Sequence, residues 1–249
     1  MTPDYQSLAT RLTSALSLTQ PPVAISFADE VPAGTSEYSG RAPAGCSFWQ
    51  EALQGSFATQ ASDHSLCAIG VHTHNLQPEP STQSELGAAL KVFASLGYVR
   101  EEDVPLIPVL GRSFKHVIYS PLSAAEIAPD VVLLFVDAVQ SLVLVEAAQQ
   151  VENQTAPAMG RPACAVVPQA VNSGRAALSL GCCGARAYLD VMTPGTALFA
   201  IPGNNIASYV DRVDTLSSAN ALLSRFHQIR RRDVEDGKSP SLQESLSAM

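Results

Sequence analysis

The stretch Pro129-Asp-Val-Val-Leu-Leu-Phe-Val136 decides how the fold reads. An unbroken apolar run of strand length predicts a strand covered on both faces, since a strand with one wet face would alternate apolar and polar side chains. Such a strand needs helices above and below its sheet. The neighbouring sequence supplies them. Residues 139–148 fit a helix directly after the run. Upstream, Tyr5, Leu8, Ala9, Leu12, Ala15 and Leu16 recur at helical spacing, Pro21-Pro22 stops that helix, and Val23-Ala-Ile-Ser-Phe27 reads as a strand. Downstream, Thr196-Ala-Leu-Phe-Ala-Ile201 is a strand leading into a long helix whose buried stripe is Ile206, Val210, Val213, Leu216, Leu223 and Phe226. The expected class is α/β, a mixed sheet with helical cover.

A second pattern organises the chain. Gly40-Arg-Ala-Pro-Ala-Gly-Cys46 is echoed by Gly160-Arg-Pro-Ala-Cys164. Glu51-Ala52 and Gln169-Ala170 follow at matching distances, and each copy then reaches another cysteine. These lie in Ser65-Leu-Cys67-Ala-Ile-Gly70 and in Ser179-Leu-Gly-Cys182-Cys-Gly184, 21 positions after Cys46 and 18 after Cys164. Four of the five cysteines thus occupy equivalent places in an apparent duplication. The expectation is one intertwined domain over residues 1–232, built from two pseudo-symmetric α/β repeats at about 20–122 and 129–229. The polar composition after Asp233 predicts a disordered tail over residues 233–249. Cys67-Ala-Ile-Gly-Val71 reads as a strand, and His72-Thr-His74 would continue its alternation with both rings on one side.

The net charge of −8 and the lack of a basic stripe argue against nucleic acid. No segment approaches the ~20 apolar residues of a spanning helix, and the N-terminus lacks the order of a signal peptide. A cytoplasmic protein with reduced cysteines is expected, acting on a small-molecule substrate or a redox partner, with a homodimer as one arrangement. Reduced paired cysteines leave three readings: core packing, a metal site or nucleophilic chemistry. Turns rich in glycine beside Cys67 and Cys182 offer backbone amides to sulfurs or anions, with Gly70, Gly181 and Gly184 as the candidates. Asp63-His64 precedes Cys67 and Arg186 follows Cys182, so His64 and Arg186 are candidate thiolate partners. P-loop, dinucleotide-binding, zinc-protease and serine-hydrolase motifs are missing from the sequence.

At these residues the chain resembles an uncharacterised bacterial and archaeal family known as domain of unknown function 169. The matching pieces are Cys46-Ser-Phe-Trp with Glu51-Ala52, Asp63-His64-Ser-Leu-Cys67-Ala-Ile-Gly70, Tyr119-Ser-Pro-Leu122, Pro129-Asp130-Val-Val, Cys164 with Pro168, and Ser179-Leu-Gly-Cys182 with Gly184 and Arg186. The resemblance brings no settled activity. It implies that Cys46, Cys67, Cys164 and Cys182 are the pattern cysteines, with Cys183 an addition of this sequence. On a strand, neighbouring side chains face opposite ways, so only one of Cys182 and Cys183 is expected at a shared site.

The leading functional expectation is an iron–sulfur protein with one cluster, 4Fe-4S, ligated by those four cysteines where the repeats meet. An enzyme is favoured, with His64 as proton donor and Arg186 as anion clamp if one iron is left open. The alternatives are a small-molecule or cofactor binding module whose cysteines pack the core, and a zinc- or thiol-dependent enzyme.

Overall fold

A computed structural model describes residues 3–77, 80–153, 157–189, 191–239 and 241–247. In chain order its regular elements are α1 (Tyr5–Leu16), β1 (Val23–Ala28), β2 (Ser36–Glu37), α2 (Ser47–Glu51), β3 (Phe57–Gln60), α3 (Ala68–Thr73), α4 (Pro80–Ser95), β4 (His116–Pro121), β5 (Val131–Val136), α5 (Ala138–Glu152), β6 (Ala158–Met159), α6 (Val166–Ser173), β7 (Ala177–Ser179), β8 (Ala197–Pro202), α7 (Ile206–Glu235) and α8 (Leu242–Ser247). The expected mixed α/β architecture is present as an eight-stranded sheet in the order β2-β3-β4-β1-β5-β8-β7-β6. The two outermost pairs, β2/β3 and β6/β7, are parallel and all other pairs are antiparallel. Each edge strand is only two residues long, which limits the unpaired ladder offered to other chains.

The apolar run that opened the sequence reading is β5, and it lies beside β1 at the middle of the sheet. All six of its residues are buried. Its alternate side chains serve two different cores. Val131, Leu133 and Phe135 join a cluster with Val23, Ile25, Phe48, Trp49, Cys46, Cys164 and Val167. Val132, Leu134 and Val136 join another with Leu12, Leu144, Phe199, Ile201, Tyr209 and Val210, drawn from α1, α5, β8 and α7. Each buried aliphatic or aromatic side chain contributes ~1.5–3 kcal/mol, so the pattern of β5 alone ties both layers to the sheet.

Polar contacts finish the joints. Asp137 caps α5 by accepting from the Gln140 amide, while the Gln140 side chain accepts from the Asp137 amide, a reciprocal cap that marks the helix start in the sequence. The Asp130 carboxylate accepts from the Phe27 amide at 2.7 Å and so locks the strand entry to β1. Arg11 of α1 bridges Asp211 and Asp214 of α7 at 2.7 and 2.6 Å. Glu152, at the end of α5, accepts from the Ala176 amide and from the Tyr209 hydroxyl.

Two readings need correction. Cys67 to Val71 is not a strand: Cys67 is the N-cap of α3. A short apolar run cannot by itself separate a buried strand from a buried helical turn. His72 and His74 therefore do not share a face as strand neighbours; His74 is fully buried and His72 is half-buried. Residues 233–235 complete α7, and α8 follows within the segment read as a tail.

Candidate functional site

The five cysteines meet on the α2/α6 side of the sheet. Cys46 is the N-cap of α2, and Cys164 lies in the 3₁₀ turn Ala163–Ala165 that leads into α6. Both are buried. Cys67 opens α3 just after β3, and Cys182 follows β7 before a single π-helical turn, Gly184–Tyr188. All four, together with Cys183, line one cavity of about 360 Å³. Cys182 and Cys183 both reach it because they sit in a turn rather than on a strand; Cys183 already has helical backbone angles.

The rest of the lining is mainly apolar. Pro43 and Ala44 come from the first Gly-Arg-Pro stretch, and Pro162 and Ala163 from the second. The opposite wall is α4, through Ala89, Leu90 and Phe93, continued by Tyr98, Val99 and Ile107. Within α4 the only buried residue is Thr82, and Val92 and Leu96 point to solvent. The helix therefore covers the cavity without a core of its own. Charge appears at three lining residues: Glu85, Asp103 and Arg161.

The buried thiols are held neutral. Burial pushes the Cys46 thiol up to about 12, with Cys67 and Cys182 adding to the effect. Burial likewise raises Cys164 well above its ordinary value, again reinforced by neighbouring cysteines and only partly relieved by the Thr73 hydroxyl. Cys67 is raised by burial and partly relieved by the backbone of Gly45 and Gly70. A Cβ at Gly70 would come within 2.9 Å of that sulfur, so glycine is what lets the thiol lie against the α3 backbone.

This chemistry corrects the leading expectation. Although the cysteines share one cavity wall, among the described residues no group of three or more His, Cys, Asp or Glu is disposed to hold a metal ion. Cysteines around a cavity are not a ligand set unless their sulfurs converge on one point. The reading of an iron–sulfur protein with a cysteine-ligated cluster is therefore withdrawn. The absence of a ligand set covers the zinc alternative too.

The two residues placed beside the cysteines by sequence lie elsewhere in the geometry. His64 is buried behind the cavity wall rather than lining it. Its Nε2 is 2.9 Å from the Thr59 hydroxyl, which itself donates to the Val117 carbonyl. That arrangement makes Nε2 the protonated nitrogen and leaves Nδ1 without a partner. Burial, with His74 nearby, depresses His64 to about 3, so the ring is neutral and holds no transferable proton of ordinary acidity. Arg186 also stands outside the lining. Its guanidinium donates to the carbonyls of Leu180, Thr193 and Thr196, bracing the loop that carries Cys182 and Cys183. Gly184 lines the cavity, whereas Gly181 turns the chain at φ +89° and packs against Met192.

A family model described as DUF169, uncharacterised ArCR, matches residues 11–212. The chain belongs to that family. No curated protein and no solved structure matches it. In this DUF169 chain the matched region spans the whole sheet and every cavity-lining residue named above. The sequence reading missed Phe93, Tyr98 and Arg161. Arg161 had a signal, since it is the arginine of the second Gly-Arg-Pro stretch. Phe93 and Tyr98 had none beyond apolar spacing, because nothing local says which face of α4 looks inward.

Proposed function

We propose that this protein binds a small, largely apolar molecule in the cavity between α4 and the cysteine-bearing turns. The observation that carries the reading is the cavity itself: about 360 Å³, walled by Leu90, Phe93, Ile107, Leu189 and thiols held uncharged. Its size is that of a ligand pocket rather than a packing defect. Neutral thiols in such a wall behave as small apolar groups. They suit an apolar ligand better than a nucleophilic mechanism, which needs a lowered thiol pKa.

The same proposal takes the two halves as a duplication. Support comes from the sheet, which reads outward from the β1/β5 pair as β4, β3, β2 on one side and β8, β7, β6 on the other. Cys46 and Cys164 then fall between the second and third strands of each half, and Cys67 and Cys182 after the third. Duplicated turns that meet beside a symmetry axis build a cavity with matching cysteines on both sides. The α4 segment, inserted between β3 and β4, is the part without a counterpart in the second half, and it closes the cavity.

A neutral environment-sensitive dye, N-phenyl-1-naphthylamine, tests the reading. Saturable fluorescence enhancement is expected for the native protein. Ala89→Trp, which fills the cavity from the side of α4, should abolish it while leaving the circular dichroism unchanged. No enhancement, or an enhancement that Ala89→Trp leaves intact, overturns the proposal.

A further inference from the structure

Among the described residues that line the cavity, Arg161 is the one cation. Among the described residues it makes no ion pair and no hydrogen bond, yet it lines the cavity. Asp103, the lining acid that feels the Arg161 charge, is already claimed. Arg100 donates to both of its oxygens, Nε to Oδ2 at 2.8 Å and Nη2 to Oδ1 at 2.6 Å, and that pair, with Arg161 a weaker contributor, holds the Asp103 carboxyl below its ordinary range. Glu85, the remaining charged lining residue, is exposed on α4 and repels an anion from its own side of the mouth. Tyr98 also lines the cavity, near enough to feel the Arg161 charge and the cysteines Cys182 and Cys183. The charged features of the lining are thus one guanidinium without an ion-pair partner, one carboxylate already paired with Arg100, and the exposed carboxylate of Glu85, beside walls that are mainly apolar.

Resting on the binding role just given, we infer that the ligand is an amphipathic monoanion: an apolar body inside the cavity and a carboxylate at the mouth, paired with Arg161. A guanidinium presents paired N–H donors that match the two oxygens of a carboxylate. A neutral apolar ligand would leave this cation to water alone, and a cationic one would meet it with repulsion. Because Arg161 is exposed, the pairing is screened by water and salt and favours the anion modestly.

The test compares three probes of equal chain length, octanoate, octanol and octylammonium, by titration calorimetry on the intact protein at neutral pH and low salt. Octanoate is expected to bind about three- to tenfold more tightly than octanol, with octylammonium weakest. Arg161→Gln should erase the difference between octanoate and octanol, Arg161→Lys should restore part of it, and raised salt should shrink it. Equal binding of octanoate and octanol by the native protein overturns the assignment of the anion while leaving an apolar ligand in place. A preference for octanoate that survives Arg161→Gln also overturns it. Failure of all three probes to bind overturns both this inference and the binding role beneath it.

Discussion

Gly203 and Pro129 touch so closely that a Cβ on Gly203 would fall 1.6 Å from the Pro129 carbonyl oxygen. The contact joins the end of β8 to the entry of β5, where the Gly203 amide also donates to the Asp130 carbonyl at 2.9 Å. The neighbouring strands β5 and β8 are thereby held at one fixed spacing.

Gly203→Ala should therefore cost about 3 kcal/mol, since the obstacle is backbone and cannot rotate away. For a chain of this size that corresponds to a fall of roughly 6–12 °C in Tm. Gly195→Ala is the matched control, because a Cβ there meets nothing within 4 Å. Calorimetry on the two variants decides: equal Tm values would show that the β5–β8 approach is not tight.

Arg186 makes a different kind of joint. Its single guanidinium serves three carbonyls, of Leu180, Thr193 and Thr196, across the loop that forms one wall of the cavity. Arg186→Met should destabilise the protein by about 2 kcal/mol and speed amide exchange over residues 180–196, with α5 unaffected. Arg186→Lys should recover little, since one ammonium cannot span the three acceptors. Unchanged exchange in that loop would mean that the bracing role is wrong.

How much of this was legible in the sequence depended on how local the signal was. β5 was readable because six consecutive apolar residues have no other economical use. The helices α1, α5 and α7 were readable from apolar spacing, whereas the reciprocal cap of Asp137 and Gln140 that starts α5 went unread. The edge strands β2 and β6 were invisible, since two residues carry no period. Cys67 to Val71 was misread because its N-cap is a cysteine and its first turn is wholly apolar, so neither a polar cap nor an amphipathic stripe announced a helix. The echo of Gly-Arg-Pro and Cys pointed to stretches that do meet at one cavity. It could not reveal whether sulfurs converge, because spacing along the chain does not encode the distance between side-chain tips. Arg161 stood in plain view inside that echo, read as spelling rather than as charge.

The two buried histidines predict an acid-sensitive fold. Burial lowers His64 to about 3 and His74 to about 4, against an ordinary value of 6.5. Between pH 6.5 and those values the unfolded chain takes up protons that the native rings refuse, so stability falls as pH falls through that window. At pH 5 the loss is on the order of 2 kcal/mol for each ring. Both nitrogens of His74 lack partners, so His74→Leu removes a desolvation cost along with a titrating group. Urea midpoints should decline from pH 7.5 to pH 5 in the native protein and decline less in His74→Leu. Parallel slopes would refute the role assigned to His74.

Thiol reactivity separates a binding cavity from a thiol enzyme. A nucleophilic cysteine must be ionised near neutral pH. Cys46, at about 12, is thiolate in only about one molecule in ten thousand at pH 8, and Cys164 is raised still more firmly by burial. Cys183 is the exposed cysteine. Brief treatment of the native protein with iodoacetamide at pH 8 should therefore label Cys183 first, and Cys183→Ser should leave the early time points unlabelled. Denaturant should then open all five thiols together. Octanoate, by filling the cavity that Cys183 lines, should slow the labelling of that residue in the native chain. Fast labelling of Cys46 or Cys164 in peptide mapping would require a lowered pKa that their surroundings do not provide, and the thiol-enzyme reading would replace the binding one.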